Sequence, residues 1–237
     1  MSRLKKVKKM TGKPMKNTIL LLFLLPLLSF GQFIDATPYA INAETVIKTE
    51  IEAFEFLREA LKNPDSVKYL DFRNCGLTFL PPEIGQLSSL KRLNLSENNL
   101  TYLPPEIGQL SNLEYLGLGS NDNLTYLPPE IGQLSNLEDL SLGFNDNLTY
   151  LPPEIGQLTS LKSLDLSYGN LTYLPPEIGQ LSNLEYLGLI SCQLTSVPPE
   201  IGQLSNLQEL RLFRNEIPQS EISQLKWKLP NCEIIHD

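Results

Sequence analysis

The chain has 237 residues, with 27 acidic and 19 basic side chains and a formal charge of −8. This balance argues against nucleic acid or an anionic membrane as partner. The only histidine, His236, stands beside the C-terminus, so no histidine-based triad can sit in the core.

The first 31 residues read as a secretory signal peptide. Arg3, Lys5, Lys6, Lys8, Lys9, Lys13 and Lys16 form a basic stretch without an acidic residue. Ile19 to Phe30 is apolar except at Pro26 and Ser29, and Gly31-Gln32 ends the run. A basic head, a short apolar run and a small residue are the marks of an export signal, here cleaved near Gly31. The run falls short of the roughly 20 residues a membrane-spanning helix needs, so no membrane span is expected after cleavage. An uncleaved anchor is the alternative, and Met15-Lys16 offers a second compact start. Removing the segment leaves 12 basic against 27 acidic side chains, which favours a basic or neutral partner.

Residues 32–66 read as a linker followed by a helical N-terminal cap. The helix is expected over Asn42 to Lys62, with Ile47, Ile51, Phe54, Leu57 and Leu61 on its buried face. Asn63-Pro64-Asp65 stops it.

Residues 67–217 are built from one repeated unit. The decapeptide Pro-Pro-Glu-Ile-Gly-Gln-Leu-Ser-Asn-Leu returns, with almost no change, at Pro81, Pro104, Pro128, Pro152, Pro175 and Pro198. The full unit is Leu-x-x-Leu-x-Leu-x-x-Asn-x-Leu-Thr-Tyr-Leu-Pro-Pro-Glu-Ile-Gly-Gln-Leu-Ser-Asn. A fixed period in this range means a solenoid whose units cannot bury both sides alone. Seven copies are expected, with strands starting at Val67, Leu90, Leu113, Leu137, Leu161, Leu184 and Leu207. Alternating leucines point inward at strand period, and the strands stack as a parallel sheet. Asn98, Asn121, Asn145 and Asn215 hold the turn position, where an amide can satisfy buried backbone groups. Cys75, Gly169 and Cys192 interrupt that ladder. Proline presets a helix start, glutamate suits its positive end, and glycine permits a close turn. One extra residue in Asn121-Asp122-Asn123 and in Asn145-Asp146-Asn147 predicts a bulge on one rim.

Residues 218–237 break the repeat and read as a C-terminal cap in which Leu225, Trp227, Leu229, Ile234 and Ile235 cover the last coil. Cys75, Cys192 and Cys232 are read as small apolar residues rather than a disulfide framework, because their repeat positions keep them apart.

Function is sought among solvent-facing positions that vary between copies. The column before each Leu-x-Leu holds Tyr69, Arg92, Tyr115, Asp139, Ser163, Tyr186 and Glu209. The central column holds Asp71, Asn94, Gly117, Ser141, Asp165, Gly188 and Arg211. Small residues gather at Gly117, Gly119, Ser141 and Gly143, which suggests a shallow depression flanked by aromatic and apolar groups. Tyr115, Phe144, Tyr168, Tyr186, Ile190, Phe213 and Arg211 are therefore the candidate ligand-binding residues, since Tyr and Arg often anchor protein interfaces. A second column, Tyr102, Tyr126, Tyr150 and Tyr173 after Phe79, is read as structural, through rings stacked along the rim, or as mere duplication of the repeat. The recurring Glu83, Glu106, Glu130, Glu154, Glu177 and Glu200 do not converge as calcium ligands would. No phosphate loop, zinc spacing or other enzyme signature occurs, and no cofactor is expected.

Through Leu-Pro-Pro-Glu-Ile-Gly-Gln-Leu-Ser-Asn-Leu the chain resembles the Ras-group type of leucine-rich repeat, and its caps resemble those of exported bacterial members. The resemblance implies an α/β fold: a curved horseshoe solenoid with a parallel sheet on the concave face. It also implies a non-enzymatic module that binds a protein on that face, with host and cell-surface proteins among the candidates. The export signal separates the chain from intracellular scaffolds, so Ras-type partners do not carry over. A structural or self-associating cell-envelope role is the alternative function.

Overall fold

A computed structural model describes residues 48–237. The signal-peptide reading of residues 1–31, the linker and residues 42–47 of the expected cap helix lie outside the described residues.

Each copy of the repeat contributes one short strand: β1 (Tyr69–Asp71), β2 (Arg92–Asn94), β3 (Tyr115–Gly117), β4 (Asp139–Ser141), β5 (Ser163–Asp165), β6 (Tyr186–Gly188) and β7 (Glu209–Arg211). The cap adds β8 (Glu233–Ile235), which the sequence pattern does not announce. The eight strands pair in parallel and in chain order. The register is constant, so Leu70, Leu93, Leu116, Leu140, Leu164, Leu187, Leu210 and Ile234 form one row into the core. The strands begin two residues later than expected. Lys91 N–H and Arg92 N–H both donate to the Lys68 carbonyl, so the chain is still turning into the strand there.

Opposite the sheet, each Pro-Pro-Glu-Ile-Gly-Gln segment forms a five-residue 3-10 turn, from Pro82–Gln86 to Pro199–Gln203. The two prolines do different work. Pro81 and its equivalents sit in extended backbone as the cap, while Pro82 and its equivalents open the turn, where a missing N–H costs nothing. The glycine is fixed by its neighbour rather than by its own dihedrals. A Cβ on Gly132 would lie 2.6 Å from the Glu154 carbonyl oxygen of the next coil, and Gly85, Gly108, Gly156 and Gly179 repeat the contact. The turns thus pack backbone against backbone. At the last coil Gly202 meets the Lys228 side chain instead.

Between sheet and turns the asparagine ladder runs as the pattern predicts. Asn98 Oδ1 accepts from the N–H groups of Cys75 and Leu77, and its Nδ2 donates to the carbonyls of Phe72 and Leu95. Asn121 donates to Leu95 and Leu118, and Asn145 to Leu118 and Leu142. Asn215 donates to Leu189 and Leu212. Cys192 substitutes weakly, its Sγ 3.2 Å from the Leu166 carbonyl. Gly169 brings no side-chain group to its step.

A second ladder crosses the outer surface, and sequence reasoning did not single it out. Asn112 donates to Ser88 O, Asn136 to Ser111 O, Ser160 to Ser135 O, Asn183 to Thr159 O and Asn206 to Ser182 O. The Ser-Asn of the repeat therefore ties each coil to the one before. The inserted residues behave as a rim feature: Asp122, Asn123, Asp146 and Asn147 are exposed, and Asn147 Nδ2 donates to Asp122 O. The register on either side is undisturbed.

The first coil is covered by α1 (Glu50–Ala60), whose N-cap is Thr49; the helix is shorter than expected at both ends. Thr49 Oγ1 accepts from Glu52 N–H, which fixes the start there. Ala53, Leu57 and Ala60 are the buried positions, and Ile51, expected inside, is 64% exposed. Two alanines let the helix approach closely, and rings fill the rest: Phe54 lies 5.1 Å from Phe79 and Phe56 packs edge-on to Phe72. Glu50 reaches over to accept from Thr78 N–H and Oγ1.

The last coil is covered by α2 (Gln219–Lys228), through Ile222 and Leu225, with Leu229 just beyond it. Ile234 is half-buried, Ile235 is exposed, and Trp227, expected inside, is 82% exposed. The helix turns Ile222 and Leu225, three residues apart, to the core, which puts Trp227 on the other side. None of Cys75, Cys192 and Cys232 is in a disulfide. Burial pushes the Cys192 and Cys232 thiols up to about 11.

Two substitutions test this account by thermal or denaturant unfolding. Gly132→Ala forces the packed turns apart and is expected to cost about 2 kcal/mol or more. Gly169→Asn restores the missing rung. Its Cβ would meet Asn145 O at 3.4 Å and Leu166 O at 3.5 Å, ordinary contacts. It is expected to stabilise the chain by about 1 kcal/mol.

Candidate protein-binding face

The solvent side of the sheet carries the variable positions in parallel rows, because constant register turns each sequence column into a row. Three residues after each strand, the chain passes through left-handed backbone. Asn74, Glu97, Ser120, Phe144, Tyr168, Ser191 and Arg214 all have φ between 53° and 60°. Such backbone favours Gly and Asn, and for a bulky residue it is strained by about 1–2 kcal/mol.

Phe144 and Tyr168 are thus aromatic residues where aromatic residues are disfavoured. Their rings are stacked, with centroids 4.7 Å apart and planes at 12°. They remain 53% and 39% exposed. The stack stabilises by about 1 kcal/mol at most and does not fill the core.

The small residues do not open the hollow expected of them. Gly117 is buried: a Cβ there would lie 2.8 Å from Tyr115 Oη. Gly188 is covered in the same way by Tyr186, again at 2.8 Å. Gly143 packs on Ser167 O and Gly119 on Gly143 O. Glycine here admits a tyrosine ring or a close backbone rather than opening a hollow. The stretch of sheet face over β4 and β5, between those two tyrosines, is the floor of the candidate face and carries Asp139, Ser141, Ser163 and Asp165, all half-buried. Tyr115 and Tyr186 are three strand spacings apart, about 14 Å. The Phe144–Tyr168 stack stands at the end of the floor.

The electrostatics are arranged around this floor. The Arg92 guanidinium sits 4.3 Å over the Tyr115 ring, and that of Arg211 5.4 Å from the Tyr186 centroid. Arg211 also pairs with Glu209. Neither Asp139 nor Asp165 is in an ion pair among the described residues. Asp165 Oδ1 accepts from Ser167 N–H. Burial raises the Asp139 carboxyl above its ordinary range, opposed by Arg92 and by a hydrogen bond with Ser163, while Asp165 adds to the rise.

The structure brings Tyr115, Phe144, Tyr168 and Tyr186 together around one floor. Ile190 and Phe213 continue toward β7, where Arg214 lies over the Phe213 ring, and Arg211 backs the Tyr186 wall. Asp139 and Asp165 were passed over in the sequence. They stand in adjacent copies but in different columns, and reading those columns diagonally would have found them. The rim tyrosines Tyr102, Tyr126, Tyr150 and Tyr173 are exposed, but among the described residues they form no ring pair with one another. The expected rim stacking is therefore not seen. Among the described residues no cluster of histidine, cysteine and carboxylates could hold a metal, and no helix is long and apolar enough to cross a membrane.

A family profile described as "Leucine-rich repeat region" matches residues 58–148 and 141–229. A leucine-rich repeat protein of Leptospira interrogans is 36% identical over 75% of this chain and 56% of its own, with a TM-score of 0.41. The plant peptide hormone receptor RGFR1, in complex with RGF2, is 31% identical over 73% of this chain and 32% of its own, with a TM-score of 0.55. The leucine-rich repeat domain of the type III effector XopL is 24% identical over 82% of this chain and 85% of its own, with a TM-score of 0.61. The chain therefore spans about half the length of the first and a third of the second. No protein of curated function matches it.

If Phe144 serves binding rather than folding, Phe144→Asn leaves stability within about 1 kcal/mol of the unmodified chain, because relief of strain offsets the lost stack. Asn74 already holds the equivalent place in the first copy. The unfolding midpoint checks this, and a loss above about 2 kcal/mol would mean that the ring holds its coil.

Proposed function

Because the chain belongs to the leucine-rich repeat family, we propose that it is an exported, non-enzymatic scaffold that recognises a protein partner on its sheet face. The observation that carries this reading is the exposed Phe144–Tyr168 stack, held on strained backbone. Strain that does not serve the core is retained where it serves a surface. The tyrosine walls and arginines around it are the residue types that anchor interfaces. RGFR1, a relative in fold and sequence, is a peptide receptor, which supports a binding role for this solenoid. The Ras-group repeat consensus and the basic and apolar stretches of residues 1–31 support an exported member of that group, acting outside the cytoplasm.

Affinity capture with the full chain, from cell-surface and host extracts, tests the binding reading when run beside Phe144→Ala/Tyr186→Ala. A partner retained by the unmodified chain and lost by the folded double variant is the expected result. Equal capture by both would move binding off the sheet face. Export is checked separately: N-terminal sequencing of the protein recovered outside the cytoplasm is expected to begin near Gln32.

A further inference from the structure

The floor between Tyr115 and Tyr186 carries charge as well as aromatic walls. Asp139 on β4 and Asp165 on β5 approach it diagonally from neighbouring strands, with the hydroxyls of Ser141 and Ser163 beside them. The two arginines of the neighbourhood are turned onto the tyrosine rings at the outer sides, and Arg211 is further engaged by Glu209. The carboxylates therefore stand half-buried between two aromatic rings, without an ion-pair partner among the described residues. Beyond the floor stands an apolar platform, the Phe144–Tyr168 stack. Across the described residues 25 acidic side chains face 12 basic ones, which draws a cationic partner in from a distance.

We propose that the sheet face docks a protein segment whose arginine or lysine enters the floor between Tyr115 and Tyr186, with an apolar residue of the same segment on the Phe144–Tyr168 stack. The proposal rests on the reading that this face binds protein, and names the chemistry of the occupant. A cationic head satisfies both carboxylates and meets the negative faces of the tyrosine rings. A neutral or acidic segment would cover Asp139 and Asp165 without compensating them, at a desolvation cost that works against it.

Random peptide display on the full chain at physiological salt tests the assignment. Enriched peptides are expected to carry arginine or lysine close to an aromatic or aliphatic residue. Synthesised singly, they should bind Asp139→Asn/Asp165→Asn about tenfold or more weaker than the unmodified chain. Citrulline in place of the arginine should give a similar loss, and binding to the unmodified chain should fall with added salt. The citrulline and salt measurements need no variant, so they decide the matter even if the double Asn chain misfolds. Peptides lost by Phe144→Ala/Tyr168→Ala but indifferent to Asp139→Asn/Asp165→Asn, to citrulline and to salt would overturn the charge assignment and leave sheet-face recognition standing. Peptides indifferent to both double variants, or no enrichment at all, would overturn both.

Discussion

Every coil of this protein closes a turn inside the molecule, and the polar backbone groups of that turn must be satisfied where no water reaches. The asparagine amide solves this by donating to one carbonyl of its own coil and one of the coil before, as Asn121 does to Leu118 and Leu95. Much else follows from that solution. The amide works only if successive coils share one register, and shared register is what gathers Leu70 through Leu210 into one core row. The same register brings the 3-10 turns into contact, which excludes a Cβ at Gly132 and its equivalents. It also converts variable sequence columns into rows on the opposite side of the sheet, so the interior hydrogen bonding determines the layout of the exterior.

The repeat made the core legible because packing a solenoid is a local, periodic problem. Leu-x-x-Leu-x-Leu located each strand to within two residues, and the Asn column located the ladder, including its interruptions at Cys75, Gly169 and Cys192. The caps were harder, since they meet a coil once and repeat nothing. Ile51 was placed inside by the spacing of apolar residues along the helix, and Trp227 by its hydrophobicity. Ala53 and Ala60 took the place beside the first coil because close approach favoured small side chains over large ones, and helix phase put Ile222 rather than Trp227 against the last coil. β8 was invisible because Glu-Ile-Ile carries no repeat consensus; it is a strand because β7 offered an edge.

The candidate face was partly legible. Phe144 and Tyr168 stood out as aromatics in a varying column, but their left-handed backbone and stacking belong to three dimensions. Gly117 looked like part of an opening and is, like Gly188, the seat of a tyrosine, because a missing Cβ in a strand is space that a neighbouring side chain can occupy. The carboxylates of the floor went unremarked because sequence columns follow strand direction, whereas the floor runs across it.

The rung that Gly169 leaves out lies between the fourth and fifth coils, and the residues immediately before Asn145 and Gly169 are Phe144 and Tyr168. The aromatic pair therefore spans the joint where interior hydrogen bonding is thinnest. In a stack of nearly identical units, bending and twisting concentrate at the most compliant joint. The candidate face thus sits on the joint with the fewest interior rungs, and a segment seated there, as proposed, would splint the molecule as well as occupy it.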